Sequence, residues 1–318
     1  MIGFLVRRLL QAVIVILGVM VLIFLMSKLI PGGEARNVLG PKATPPAIAH
    51  FNLVNGLDVP LWDQFWHYVS GVVFHFNLGY SFRENQGVRQ LILERLPKTF
   101  ALVGVSTALA LIIAIPLGIL QVVRRNSIVD YSVTGLSFFF YAMPSFLLGT
   151  LLLMWFALDL HWFPVSPPLG SNGFTIFEDP QAFVLPVVTL AAITIAAFSR
   201  YMRSSMLDAM AEDYVRTARA KGASNRRVLY GHALRNALIP IITLIGLSLP
   251  AIVSGALITE TVFNYPGMGL LTVNAAQNDD VATILGTTLI VTVATVLGSL
   301  IADILYAVAD PRIRLSGT

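Results

Sequence analysis

Six long stretches of uncharged, mostly apolar residues constrain what this chain can fold into. They cover residues 9–26, 99–123, 131–158, 180–199, 236–259 and 281–302. A helix needs about 20 apolar residues to cross the hydrocarbon core of a bilayer, where every backbone amide must be hydrogen-bonded within the protein. Only 12% of the residues are charged, against about 25% in soluble domains. The sequence therefore predicts an all-α membrane protein with six transmembrane helices.

The first stretch divides the N-terminal third of the chain from the rest. It follows Arg7 and Arg8, as a signal peptide would, but it is longer than a signal core and no Ala-x-Ala site follows. We therefore expect residues 1–30 to be a retained first transmembrane helix. Residues 31–98 are then an external segment, and residues 99–318 a core of five helices.

The basic residues of the short loops predict the orientation of the helices, because Lys and Arg accumulate on the cytoplasmic side. Pairs of arginines lie at 7–8, at 124–125 and at 312 and 314, and eight basic residues lie within 200–235. Loops 159–179 and 260–280 contain no Lys or Arg. With six spans, all of these basic groups fall on one side, so both termini are expected in the cytoplasm.

The external segment is rich in aromatic residues. Apolar residues at 61, 65, 66, 68, 69 and 72 fit one face of a helix. This segment is either a small packed cap over the helices, which we favour, or a surface that receives substrate.

A search for catalytic chemistry finds little. The chain has no Cys, no His-Glu-x-x-His spacing, no Gly-x-Ser-x-Gly elbow and no phosphate-binding loop. Acidic residues near span ends, namely Asp130, Glu260 and Asp303, are the only candidates for an ion path. An intramembrane enzyme and an ion-coupled secondary carrier are therefore the weaker hypotheses, and the composition excludes a nucleic-acid-binding protein.

The loop 201–235 is longer than a helix connection requires. Residues 211–221 read as a helix with Glu212 and Asp213 in its first turn and Gly222 as its stop. Ser224 or Asn225 then caps a second helix over 226–238. Taken alone, such a basic helix–Gly–helix fits an anionic lipid surface or a cytosolic partner equally well.

The same loop resembles a known one. Segment 216–222 (Arg-Thr-Ala-Arg-Ala-Lys-Gly) and segment 232–240 (His-Ala-Leu-Arg-Asn-Ala-Leu-Ile-Pro) resemble the coupling loop of ABC-importer permeases, especially the dipeptide, oligopeptide and nickel permeases. The family motif has Glu-Ala-Ala, three residues, Gly, and Ile-x-Leu-Pro ten residues after the Gly. The chain keeps Ala218, Gly222 and Leu234. Its departures are Arg216 and Thr217 for Glu-Ala, His232 for Ile and Arg235 for Pro, which are usual in the peptide branch.

The resemblance extends along nearly the whole chain, to the B-type peptide permeases. It is carried by segments 4–8, 29–32, 56–61, 77–82, 144–146, 260–269 and 303–314, in this order and spacing. It implies a type I ABC importer permease fold in a bacterial plasma (inner) membrane. It also implies several partners: membrane lipid, a homologous second permease, two cytosolic ABC ATPase subunits and an external substrate-binding protein.

The resemblance also implies where the chemistry lies. ATP and Mg²⁺ would be bound by the ATPase subunits, so this chain would hold no cofactor or metal and would catalyse no reaction. The helix after the fourth span would dock on an ATPase. The residues expected to form that coupling surface are Tyr214, Arg216, Ala218, Arg219, Ala220, Lys221, Gly222, Arg226 and Arg227.

The cargo follows from the resemblance only as a class. Peptides are expected, and nickel chelates, haem and glutathione are carried by members of the same family. Parts of spans three to five are candidates for the translocation path, without particular residues.

Overall fold

The structure, a computed structural model, describes residues 2–29, 33–40, 42–167, 180–254 and 256–309. This part of the chain is almost entirely helical. Its first seven helices are α1 (Ile2–Lys28), α2 (Gly33–Leu39), α3 (Pro45–Val54), α4 (Leu61–His75), α5 (Val88–Val123), α6 (Ile128–Ala142) and α7 (Ser145–Leu152), and a π-helical segment (Leu153–Asp159) continues α7. The others are α8 (Pro180–Ala211), α9 (Asp213–Ala220), α10 (Asn225–Arg227), a π-helical segment (Val228–Ala233), α11 (Leu234–Ser254), α12 (Leu257–Val262), α13 (Met268–Gln277) and α14 (Val281–Ala309).

Five helical stretches within the described residues are long and apolar enough to cross a membrane. They are Val6–Lys28, Val88–Val123, Pro180–Ala211, Asn225–Gly246 and Val281–Ile301. A sixth crossing requires α6 and the α7 stretch to act as one broken span. Five to six spans agree with the sequence pattern.

The third predicted span is not one straight helix. Helix α6 and the stretch Ser145–Asp159 are bent by 101° relative to each other. The break lies at Met143, whose backbone is extended, directly before Pro144. Proline disfavours helical geometry in the residue before it, so the apolar stretch 131–158 forms two helical pieces joined by a sharp bend.

Helices α5 and α8 form the centre of the bundle and pack along each other. A Cβ atom added to Gly118 would lie 2.6 Å from the Cβ of Met202, so only glycine permits this approach. A buried apolar cluster joins the two helices to α11 and contains Ile119, Met202, Met206 and Ile241. Close packing of this kind is what holds helices together where lipid removes the hydrophobic drive between them.

The segment between α1 and α5, predicted to be external, packs on α1 and α14. Val69, Val72 and Leu78 share a buried cluster with Met20 of α1 and Leu289 of α14. Helix α4 begins at residue 61 as the apolar spacing predicts, and α5 begins at Val88, so residues 88–98 are helical and continuous with the second span.

One short antiparallel pair accompanies the helices within the described residues. Strands β1 (Tyr80–Ser81) and β2 (Gln86–Gly87) pair with Tyr80 opposite Gly87. The Ser81 hydroxyl donates to the carboxylate of Asp280, which also accepts from the Thr283 hydroxyl at 2.7 Å. The hairpin is thereby fixed to the start of α14.

Candidate functional site

The loop between α8 and α11 forms a helix, a tight turn and a second helix. Glu212 precedes the first residue of α9, and α9 ends at Ala220. Gly222 has φ of +81°, its amide donates to the Arg219 carbonyl (2.9 Å), and the Ala223 amide donates to the Ala218 carbonyl (3.1 Å). These two bonds and the left-handed glycine are the Schellman arrangement that ends helices. The predicted stop at Gly222 is confirmed.

The second predicted helix starts as expected but has a different end. The Ser224 hydroxyl accepts from the Arg227 amide at 3.4 Å, which confirms Ser224 as the cap. The predicted end at Leu238 is wrong, because α10, the π-helical segment and α11 follow one another without a break up to Ser254. The predicted loop helix and fifth span are one continuous helical stretch, which continues through Pro240.

Most of the predicted coupling residues are exposed around the turn at Gly222. Seven are exposed, namely Arg216, Arg219, Ala220, Lys221, Gly222, Arg226 and Arg227, while Tyr214 and Ala218 are half-buried. Five of the exposed seven are cationic, so the surface is strongly basic around the glycine turn. The one ion pair within α9, between Arg216 and Asp213 (3.4 Å), is solvent-exposed and adds little stability.

Buried apolar side chains hold this surface in place. Val215 of α9 and Val228 and Ala233 of the π-helical segment are fully buried, and Leu229 is nearly so. Leu229 and Ala233 belong to the cluster that joins α5, α8 and α11. The surface therefore rests on the ends of three long helices, so a force applied to it reaches them directly.

A buried ion pair lies beside this cluster. The Arg203 guanidinium on α8 donates to both carboxylate oxygens of Asp130 on α6, from Nε at 2.9 Å and from Nη2 at 3.0 Å. The Asp130 side chain is 2% exposed and that of Arg203 30%. The carboxylate also accepts a hydrogen bond from the backbone amide of Asn126 at 3.1 Å. Bidentate pairs of this kind fix geometry as well as charge.

A third helix joins this pair. Gln121 of α5 is buried, and its amide donates to the Thr134 hydroxyl on α6 at 3.0 Å and more distantly to Asp130. The polar group therefore connects α5, α6 and α8 beside the loop. Sequence reasoning placed Asp130 at a span end but missed its partner. The available signal was that Asp130 directly precedes the third apolar stretch and Arg203 follows the fourth, which are ends that lie on the same side of an antiparallel pair of helices.

A second buried acid has a structural role at the opposite ends of the long helices. The Glu260 carboxylate is completely buried and accepts from the Gly269 amide (2.7 Å), the Leu270 amide (3.1 Å) and the Thr99 hydroxyl (2.9 Å). Two of these donors belong to the first turn of α13, where a carboxylate is favourable. A Cβ on Gly267 would lie within 2.4 Å of this carboxylate, so the turn requires glycine. The role of Glu260 is to hold α12, α13 and α5 together.

A cavity of about 890 Å³ lies between the external segment, the end of α1 and the start of α14, and its lining includes Phe24, Gln64, Arg83 and Leu285. In the described part of the chain, no group of three or more His, Asp or Glu residues is arranged to hold a metal ion. Asp303 and residues 310–314 fall outside the side chains that the structure describes.

Two family matches cover almost the entire chain. Residues 109–315 match the family described as binding-protein-dependent transport system inner membrane component. Residues 1–103 match the N-terminal family of the same transport-system membrane components. The chain belongs to this family. It is an inner membrane component of a binding-protein-dependent transport system, a transport subunit that is not itself an enzyme, and its apolar helices are the expected membrane spans.

Full-length relatives agree with this membership. The inner membrane component is 40% identical over 316 residues to the oligopeptide transport system permease protein AppB of Bacillus subtilis (strain 168), covering 99% of this chain and 100% of the relative. It is 36% identical over 340 residues to the dipeptide transport system permease protein DppB of Escherichia coli (strain K12), with 99% of each covered. The glutathione transport system permease protein GsiC of Escherichia coli O6:H1 is 36% identical over 319 residues, again with 99% of each covered.

Proposed function

We propose that this chain forms half of the translocation path of an ATP-driven importer for short peptides. The relatives are described as oligopeptide, dipeptide and glutathione permeases, and glutathione is itself a short peptide. Because these relatives align with the chain from end to end, they support peptide transport by this protein as well. Nickel chelates and haem, which the family resemblance also allows, have no counterpart among these relatives.

The proposed complex contains four further subunits. A homologous second permease completes the path, an external binding protein delivers the peptide, and two cytosolic ATPases bind ATP and Mg²⁺. The observation that carries this proposal is the rigidly supported, basic helix–turn–helix around Gly222, because an exposed helix anchored on three long helices suits the transmission of a push from a partner. Closure of the ATPases would rock the permeases between inward-open and outward-open states.

The proposed topology has six spans and cytoplasmic termini, in the type I arrangement. The bent α6–α7 stretch counts as the third span. The concentration of Lys and Arg at 124–125 and 200–235 supports the placement of the coupling surface in the cytoplasm. The external segment and Glu260 then lie on the side from which the binding protein delivers peptide.

Proteoliposomes that contain the whole importer test the proposal. With ATP inside and peptide-loaded binding protein outside, labelled peptide should accumulate, and accumulation should persist when ionophores dissipate ion gradients. Uptake that requires an ion gradient and proceeds without ATP would support the secondary-carrier alternative instead. If nickel chelate or haem competes with the labelled compound for uptake and unlabelled peptides do not, the peptide cargo is rejected, whereas the proposal of an ATP-driven importer stands.

A further inference from the structure

Helix α4 carries more apolar surface than its neighbours cover. Successive helical residues are offset by about 100°, so Val69 and Val72 share the face that packs on α1, and both are buried. Trp62, Trp66 and Val73 form the adjacent strip around the helix, with exposed fractions of 65%, 51% and 58%. These three residues are called the tryptophan strip below. Such an apolar strip requires an occupant other than water.

The contacts of α4 fix its depth relative to the first span. The Phe24 ring of α1 lies 5.4 Å from the Phe65 ring and 6.2 Å from the Tyr68 ring, centroid to centroid. Phe24 precedes Lys28, the cationic end of α1, by four residues, or about 6 Å along the axis. Met20, in the same buried cluster as α4 residues, lies about 12 Å before that end. Helix α4 therefore lies beside the last turns of a membrane span.

The chemistry of α4 suits that depth. Tryptophan is enriched where the headgroups meet the acyl chains, because its ring is apolar and its indole N–H is polar. Interfacial helices bury their apolar face about 5–10 Å into this boundary, close to the depth set by the contacts with α1. Lys28 extends its ammonium over the Phe24 ring at 5.2 Å, so a charge lies beside these aromatic residues, as at the end of a span.

The opposite side of α4 is polar. Asp63, His67 and Ser70 share it, and the His67 ring nitrogen Nδ1 lies 2.8 Å from the Asp63 carbonyl oxygen. Phe74, near the C-terminal end, is an apolar exception on this side. The helix contains no Lys or Arg that would draw it towards a cytoplasmic lipid surface. An apolar arc next to a membrane span and a polar arc facing away are the two halves of an interfacial helix.

We propose that α4 is an interfacial helix whose tryptophan strip is inserted in the outer leaflet of the bilayer. The strip contacts the headgroup and upper acyl region of phospholipids, and Asp63 and His67 face water. The external segment is thus anchored to the membrane through α4 as well as through α1. The assignment to the outer leaflet rests on the proposed orientation, whereas the contact with lipid follows from the position of α4 beside α1.

Nitroxide scanning of single cysteines tests this contact, since the natural chain has no cysteine. Nitroxides at Trp62→Cys, Trp66→Cys and Val73→Cys would be measured in the whole importer, with partner subunits free of reactive cysteines, in phosphatidylcholine–phosphatidylglycerol vesicles. Asp63→Cys and His67→Cys are matched controls one residue along the same helix. Frequent collision of a nitroxide with oxygen indicates that it lies in lipid. Frequent collision with a water-soluble nickel chelate indicates that it lies in water.

The strip positions should show an oxygen-to-nickel collision ratio several-fold above that of the two controls. A high nickel collision rate at Trp62→Cys and Trp66→Cys would mean that the strip faces water, and the proposal would be wrong. Protection from both reagents would mean that the second permease or the binding protein covers the strip, which also overturns it. Peptide-stimulated ATP hydrolysis by each labelled importer shows that the variant is folded, independently of the lipid contact.

A second measurement avoids cysteines. Trp62→Phe/Trp66→Phe keeps the apolar bulk, and the fluorescence difference between this double variant and the unmodified importer isolates the two indoles from all other tryptophans. Lipids brominated near the headgroup should quench that difference more strongly than lipids brominated near the chain ends. Absence of quenching by both lipids would reject the insertion. An impermeant thiol reagent applied to Asp63→Cys from one side of the membrane or the other identifies the leaflet separately, because the cysteine reacts only from the side on which α4 lies.

Discussion

Substitution of Gly222 separates strain in the loop from loss of its proposed contact with an ATPase. Gly222 has φ of +81°, where a side chain is unfavourable, yet a Cβ placed there meets nothing within 4 Å. Alanine therefore costs about 1 kcal/mol of backbone energy and no packing energy. Asparagine tolerates this conformation better. Aspartate adds a negative charge at the end of α9, which opposes the helix dipole by about 0.3–1 kcal/mol.

These penalties sum to about 1–2 kcal/mol, too little to prevent a large bundle from folding. The Gly222→Asp subunit should insert and assemble with its partner permease at the unmodified level. If an ATPase occupies the open space around the turn, however, the added atoms collide with it. ATPase retention and peptide-stimulated hydrolysis should then be lost in Gly222→Asp, reduced in Gly222→Asn despite its smaller strain, and least affected in Gly222→Ala.

The chain supplies a matched control at Gly56, which has φ of +64° and also has nothing within 4 Å of a built Cβ. Gly56→Asp carries a similar strain outside the loop and should leave ATPase retention intact. Arg219→Glu should weaken docking less than Gly222→Asp, because exposed ion pairs contribute only about 0–1 kcal/mol. Retention and stimulated hydrolysis at the unmodified level in Gly222→Asp would refute the coupling role, and a stronger effect of Arg219→Glu would favour the lipid-surface interpretation.

Three further predictions concern the rest of the bundle. Asp130→Asn should destabilise the subunit by about 1–3 kcal/mol, because it removes the charge that neutralises the partly buried Arg203, and should lower the midpoint of thermal unfolding in detergent; Asp213→Asn, at an exposed ion pair, should leave that midpoint unchanged. A cysteine at Asn278 should react with an impermeant maleimide from outside intact cells, and one at Ser224 only after the cells are opened; external labelling at Ser224 would reverse the orientation. Gly267→Ala should lower the yield of assembled importer through an overpacking penalty of about 1–3 kcal/mol, and a normal yield would show that the turn relaxes.

Local signals in the sequence were sufficient for several elements. Apolar runs located the long helices, the aromatic spacing located α4, and Gly222 with Ser224 located the turn of the loop. Each of these depends on residues within a few positions of one another. Pro144 was also visible in the sequence, but the size of the bend it produces, 101°, depends on how α7 packs against α8 and α12.

The polar contacts between distant segments could not be predicted in this way. Asp130 meets Arg203 across 73 positions, Thr99 meets Glu260 across 161, and Ser81 meets Asp280 across 199. Periodicity carries no information about such pairs, because they depend on which helices become neighbours. Asp130 and Glu260, two of the span-end acids that the sequence offers as candidates for an ion path, are instead held by partners from distant segments.

The unbroken helical stretch from Asn225 to Ser254 has a consequence for the construction of chimaeras between permeases. Because the chain has no break there, the angular position of the first turn of the stretch is fixed relative to the span, at about 100° per residue in the α-helical parts. One residue inserted or deleted in its α-helical part, Leu234–Ser254, would swing the basic surface around the axis and carry it away from its partner. Exchanges of the loop between relatives should therefore be spliced at residues 221–224, where the chain turns, and should preserve residue number from there to the end of the span.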